Sequence, residues 1–501
     1  MNMMKWALGS ALLALPQLAS AQPTNHTKPL VKDKALQDAI TVENLYKHAE
    51  KLQAIAYSTP GRNRVAGSTG HDLTVEYISE QLNALGGYYD VQLQPWEGLS
   101  QQYGEISFTV NGAVYDAKVV EFSSNVTATD VPLVVVPNLG CDAADFPSTV
   151  SGSVALVHRG SCTFALKSQN AKSAGAVGVI FWNNENAGVV SGTYGEVLDN
   201  AVPGGGISQA DGEALVALSG NTTLTTSLEI ATVIELVQSW ASDNVIATSK
   251  YGNPDNVLFL GAHSDSVAEG PGINDDGSGT IGLLETAIQL AKYSTKAQIK
   301  FGWWTAEESG LLGSTYYVES LSAEELLKIR LYLNFDMIAS PNYILGHYDG
   351  DGSEFGEAGP AGSAEAEHFF EDYYESNGLN HTATEFNGRS DYGPFLDAGV
   401  PCGGLDAGAD EPKTQEWVDK FGGTLGAILD PNYHTAQDDV NNLNKTCFGI
   451  MSKGIAHAVA YYGASGFEGF PERNTTAKRS VGEGTKAKPT HKYPYRFPTV
   501  L

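Results

Sequence analysis

The chain has 501 residues, with 58 Asp plus Glu against 30 Lys plus Arg and a formal net charge of −28. That length accommodates two or three domains of ~150 residues, and 42% hydrophobic with 18% charged residues is a globular balance. Such acidity repels phosphate backbones and anionic lipid, which argues against nucleic-acid and membrane partners.

In chain order, Lys5 precedes the apolar run Trp6–Leu15, and Ala19-Ser20-Ala21 follows as a small-residue cleavage signal. The pattern predicts a secretory signal peptide over residues 1–21, hence an extracellular protein, followed by a candidate propeptide over 22–34. Six Asn-x-Ser/Thr triplets, at Asn25, Asn125, Asn221, Asn380, Asn444 and Asn474, agree with a glycosylated surface. Over 35–100 the apolar spacing predicts two helices, one with Leu45, Leu52 and Ile55, the other with Val75, Ile78, Leu82 and Leu85. The turn-rich Pro60–Arg64 separates them, and a strand Tyr89–Trp96 follows.

Over 101–235 the texture changes to short β-like runs, Glu105–Val110, Pro132–Val136 and Val154–His158, with a helix Phe164–Ala174 and a strand Ala176–Trp182. This reads as a β-rich insertion. From 236 to 465 apolar strands alternate with helices. Val257–Ala262, Gln298–Trp304, Leu331–Phe335 and Val400–Leu405 are the strands, and helices start at Gly279 and after Gly310. Continuous apolar strands between helices predict an α/β fold with a mostly parallel sheet covered on both faces. Residues 466–501 are basic and aperiodic, which predicts a disordered tail. Of the three pairings open to four cysteines, the domain division favours Cys141–Cys162 in the insertion and Cys402–Cys447 in the core.

The chemistry sits at the strand ends. His263-Ser264-Asp265 closes the first core strand, Asp275-Asp276-Gly277 lies in the next loop, Glu307-Glu308 ends the second strand, Asp336 ends the third, and His434 lies in a later loop. Open α/β sheets bind ligands at the carboxyl ends of their strands. Two imidazoles and three carboxylates without a nearby Lys or Arg would repel unless a cation neutralised them, and they are too many for one tetrahedral zinc. Sharing one carboxylate between two ions makes a two-metal hydrolase the direct reading. Taken singly, Asp-Asp-Gly is a turn and Glu-Glu a helix start. His71, His347, His368 and His381 join no such constellation and read as surface or structural residues.

Gly261-Ala262-His263-Ser264-Asp265-Ser266, Gly272–Gly279, Ala306-Glu307-Glu308, Asn334-Phe335-Asp336-Met337 and Tyr433-His434-Thr435 resemble the co-catalytic zinc aminopeptidases of the aminopeptidase Y and secreted fungal leucine aminopeptidase type. The insertion, with Gly175–Ile180 after a helix, looks like a protease-associated domain. The resemblance implies a zinc-exopeptidase-like fold and two Zn²⁺ per chain. It places His263, Asp275 and Asp336 on one ion and Asp275, Glu308 and His434 on the other. Glu307 would be the general base, Asp265 the partner orienting His263, and Tyr433 the donor to the developing oxyanion. It also implies a cis Asp275–Asp276 peptide bond, and Arg389–Phe395 resembles the family's substrate-pocket loop. The expected partners are peptides with a free N-terminus, large apolar Leu-like residues being removed by a monomer. Carboxypeptidase, glutaminyl cyclase and a non-enzymatic receptor on the same fold are the alternatives.

Overall fold

A computed structural model of the chain describes residues 28–473, apart from 97, 185–187, 191, 196, 238–241 and 357. The signal peptide, residues 22–27 of the expected propeptide and most of the basic tail lie outside the described residues.

Two eight-stranded sheets organise the molecule. In the first, Ala297–Trp304, Asn253–His263, Ile329–Phe335 and Cys402–Asp406 run parallel side by side. Both flanks carry antiparallel pairs. Tyr89–Pro95 and Asp243–Ser249 close one edge, while Gly346–Tyr348, paired in parallel with Thr382–Thr384, closes the other. The parallel strands are buried on both faces: Leu258 and Leu260 join one apolar cluster, Val257 and Phe259 another. That two-sided burial is why these strands read as continuous apolar runs rather than alternating ones.

Helices Val42–Tyr57, Thr69–Asn83, Gly277–Leu290 and Lys445–Ser465 cover the first face. Leu312–Ser320 and Tyr392–Asp397 cover the second. The second sheet spans Gly98 to Val237. Its backbone is a long antiparallel pair, Gly98–Val110 with Leu224–Val237, twice the length that the short β-like runs suggested. Among the described residues no helix is long and apolar enough to cross a membrane.

Cys141 and Cys162 form a disulfide in the second sheet's domain. The expected Cys402–Cys447 bridge does not form, and both thiols are free and buried. Cys402 belongs to the apolar cluster on one face of the first sheet and Cys447 to the cluster on the other, so the sheet itself separates them. Asn125, Asn221 and Asn380 are exposed. Asn444 instead caps the last helix, its side chain accepting from Thr446 and Cys447 N–H and donating to the Pro341 carbonyl.

Candidate metal centre

Parallel strands deliver their last residues to one edge, and the candidate site is built there. His263 ends its strand almost fully buried, at 1% exposure. Its Nε2 lies 3.1 Å from Asp275 Oδ1 and 3.6 Å from Asp336 Oδ1. On the other side of Asp275, its Oδ2 lies 2.9 Å from His434 Nε2, which is itself 3.0 Å from Glu308 Oε2. The two oxygens of one carboxylate therefore face two separate sets, each of one imidazole and one further carboxylate.

Asp275 Oδ2, Glu308 Oε1, Asp336 Oδ1 and His434 Nε2 are buried without a hydrogen-bond partner among the described residues. Buried polar atoms normally have partners, so four orphans distributed over these two sets fit bound cations. Nitrogen and carboxylate oxygen donors in this ratio suit zinc. Asp276 also lies close to His263 and Asp336, but its carboxylate is already used. Oδ1 accepts from Gly279 and Met337 N–H, and Oδ2 accepts from His263 N–H. Asp276 thus caps the helix Gly277–Leu290 and ties it to two strand ends. A Cβ at Gly279 would overlap the Phe335 carbonyl, so glycine lets this helix start against the strand bearing Asp336. The Asp275–Asp276 bond is cis, as the resemblance implied, and Ala306, Met337 and His434 have φ of 53, 54 and 54°. Non-glycine residues at positive φ are strained, and such strain gathers at functional sites.

Around these groups the other expected residues take their places. Asp265 Oδ1 lies 3.5 Å from His263 Nδ1 and accepts the Glu307 N–H at 3.2 Å. Glu307 Oε2 is 3.9 Å from His263 Nε2. The Tyr433 ring stacks on His434, centroids 3.8 Å apart. Burial holds the Glu307 carboxyl well above its usual range, and burial with Asp275 pushes Glu308 up to about 7. A divalent cation reverses that sense for its neighbours. Burial, with Asp275 and Glu308 nearby, keeps the Tyr433 phenol protonated far above neutrality, so it is a donor.

Several contributors carry no local signal in the sequence. Arg64, fully buried, donates through Nε to the Pro271 carbonyl at 2.9 Å, through Nη2 to Gly272 at 2.5 Å, and through Nη1 to Ser264. It is one of three cations near the site, Arg159 and Arg389 lining the cavities above it. Its N–H groups go to carbonyls, however, and not to the carboxylates of Asp275, Glu308 or Asp336. Asp438 accepts the Asn274 and Asp275 N–H groups at 2.9 and 3.0 Å, linking the His434 loop to Asp275. Ser390, from the expected pocket loop, donates to Asp336 Oδ2 at 2.6 Å.

A cavity of about 390 Å³ opens onto Glu307, Glu308, Tyr433 and His434, and Glu121, Arg159 and Phe164 of the second sheet's domain form its opposite wall. Asp336 lines an adjoining cavity of about 290 Å³ in which apolar Met337, Ile344, Tyr348, Phe355 and Leu429 alternate with charged Arg159, Arg389, Asp406, Asp410 and Glu411. The groove of about 770 Å³ between the helices Asp33–Ala39 and Lys445–Ser465 shares no residue with either.

Comparison with known proteins gives a consistent picture. Residues 244–459 match the profile of peptidase family M28 and residues 129–215 that of the PA domain. A probable leucine aminopeptidase 2 of Aspergillus fumigatus is 47% identical, over 96% of both chains. Leucine aminopeptidase 2 of Arthroderma otae is 44% identical over 96% of this chain and 97% of its own. Among solved structures, the aminopeptidase from Aneurinibacillus sp. strain AM-1 is 27% identical with a TM-score of 0.68, covering 90% of this chain and 99% of that one. The Bacillus subtilis zinc aminopeptidase is 26% identical with a TM-score of 0.61, covering 85% and 96%.

Proposed function

The chain belongs to peptidase family M28 and is a zinc-dependent aminopeptidase with a PA domain, and on that premise we propose that it uses two zinc ions to release large apolar, leucine-like residues from the free amino end of peptides. The observation that carries the two-ion reading is Asp275, whose two oxygens face different imidazoles, 3.1 and 2.9 Å away. His263, Asp275 and Asp336 would hold one ion, and Asp275, Glu308 and His434 the other. When bound, the pair supplies Lewis acidity and an acidified water.

The remaining chemistry belongs to the protein. Glu307, beside but outside the two ligand sets, takes the proton of the attacking water and passes it to the leaving amine. Asp265 orients His263 through Nδ1. Tyr433 donates its phenolic hydrogen to charge that develops only as the scissile carbonyl becomes tetrahedral. Carboxylates crowd the site, so it attracts a cationic N-terminus and repels a C-terminal carboxylate. The apolar lining beside Asp336 suits a leucine-like side chain. Glu121 and Phe164 wall the cavity from the inserted domain, which favours a chain end over a mid-chain segment. The signal pattern over 1–21 supports secretion, with the peptidase domain drawn from 35–100 and 236–465 and the PA domain from 101–235.

Peptides with free or acetylated N-termini, each with free or amidated C-termini, test this. Cleavage should disappear on acetylation, survive amidation and release the first residue. Cleavage of acetylated peptides from the carboxyl end would overturn it.

A further inference from the structure

Just after the strand Gly346–Tyr348, and sharing no residue with the candidate zinc site, three carboxylates meet with no Lys or Arg ion-paired to them among the described residues. A carboxylate oxygen from each of Asp349, Asp351 and Glu367 lies within 4.8 Å of the others. Asp349 is wholly buried. Its Oδ2 accepts the N–H groups of Glu354 and Phe355, at 3.2 and 2.7 Å, while its Oδ1 has no partner among the described residues. Glu367, 4% exposed, uses Oε2 to accept the Asp351 N–H at 2.9 Å. We propose that Asp349, Asp351 and Glu367 form a calcium site separate from the catalytic metals.

Three features point to calcium. The donors are all oxygen, the set that hard cations select and zinc does not. Asp349-Gly350-Asp351-Gly352-Ser353 places oxygen-bearing side chains at alternate positions, the 1, 3, 5 spacing of calcium-binding loops. Neighbouring imidazoles supply little counter-charge. His347 Nδ1 is 3.9 Å from Glu367, but burial and His381 hold that imidazole down to about 3, and His368, 3.8 Å from Asp351, is exposed. Burial, with Asp351 and Asp349, pushes Glu367 up to about 7, and a single proton there relieves one carboxylate of three. The adjacent trio His347, Glu371 and His381 needs no ion, because His347 Nε2 and His381 Nδ1 pair at 3.0 Å. Tyr348 directly precedes Asp349 and, with Phe355, lines the cavity that reaches Asp336. An ion in this loop therefore fixes one wall of the substrate cavity.

The test is thermal unfolding of the zinc-saturated full chain against added calcium chloride or magnesium chloride, with retention of radioactive calcium in equilibrium dialysis. Calcium should raise the midpoint by about 5 °C at saturation and be retained at one ion per chain beyond background. Asp351→Ala, at an exposed position that should leave folding and zinc content intact, should abolish both responses. Asp349→Asn should do the same if it folds. No calcium-dependent shift, an equal shift with magnesium, or a full response in Asp351→Ala overturns the site.

Discussion

Arg64→Ala tests how the metal-bearing loop is held. The guanidinium donates to the carbonyls of Ser264, Pro271 and Gly272, all in buried residues. Those three carbonyls bracket the loop that carries Asp265 and leads into Asp275. Hydrogen bonds from a charged donor contribute ~1.5–3 kcal/mol each, and water entering the vacated space recovers part of the sum, leaving a loss of about 3–5 kcal/mol. The midpoint of thermal unfolding should fall by roughly 3–5 °C, the entropy of unfolding being large for a chain of this length. Because the same loop orients two site carboxylates, zinc affinity measured by chelator competition should fall ~10–100-fold, as for removal of groups that support metal ligands. Arg64→Lys keeps the charge but loses the planar fork, and should fall between wild type and alanine. An alanine variant with unchanged midpoint and zinc affinity would refute this account of the loop.

Three further outcomes are expected. Glu307→Gln keeps shape but cannot accept a proton, so turnover should drop by ~10² or more with zinc content unchanged; near-normal turnover moves the base elsewhere. Burial and His381 hold the His347 imidazole down to about 3 against 6.5 unperturbed, so the unfolded chain binds the extra proton. The stabilisation is complete above pH 6.5 and declines as pH falls towards about 3. His347→Gln should flatten that acid limb of the midpoint-versus-pH curve, and an unchanged slope contradicts it. With Cys402 and Cys447 both 0% exposed and unpaired, no thiol should react in the native protein and two per chain should react after denaturation without reductant. Finding none would restore the bridge.

Much of this was legible because the signals were local. Val257–Ala262 is apolar without interruption and Leu331–Phe335 nearly so, because both faces are buried, and each is followed by a charged or imidazole group that burial alone does not explain. What escaped the sequence depends on distant partners. Arg64 sits in a stretch that reads as a turn, and only folding brings it under residues 264–272. Glu121 belongs to the inserted domain, so nothing along the chain connects it to Glu308 and His434. Asp438 reads as a loop carboxylate until its two backbone donors are seen. The cysteine pairing failed for a geometric reason: proximity along the topology does not say which face of a sheet a side chain takes. The flanking strands Asp243–Ser249 and Gly346–Tyr348, each second from an edge, are short or partly polar, and their antiparallel pairing carries little periodic signal.

The central claim is that Asp275 bridges two ions needed together. Metal-free protein titrated with zinc, with leucyl-peptide hydrolysis and bound zinc measured on the same samples, addresses it directly. Activity should reach its plateau at two zinc ions per chain, and Glu307→Gln should bind the same two while remaining nearly inactive. Full activity at one zinc per chain, with no further gain on adding more, would contradict it.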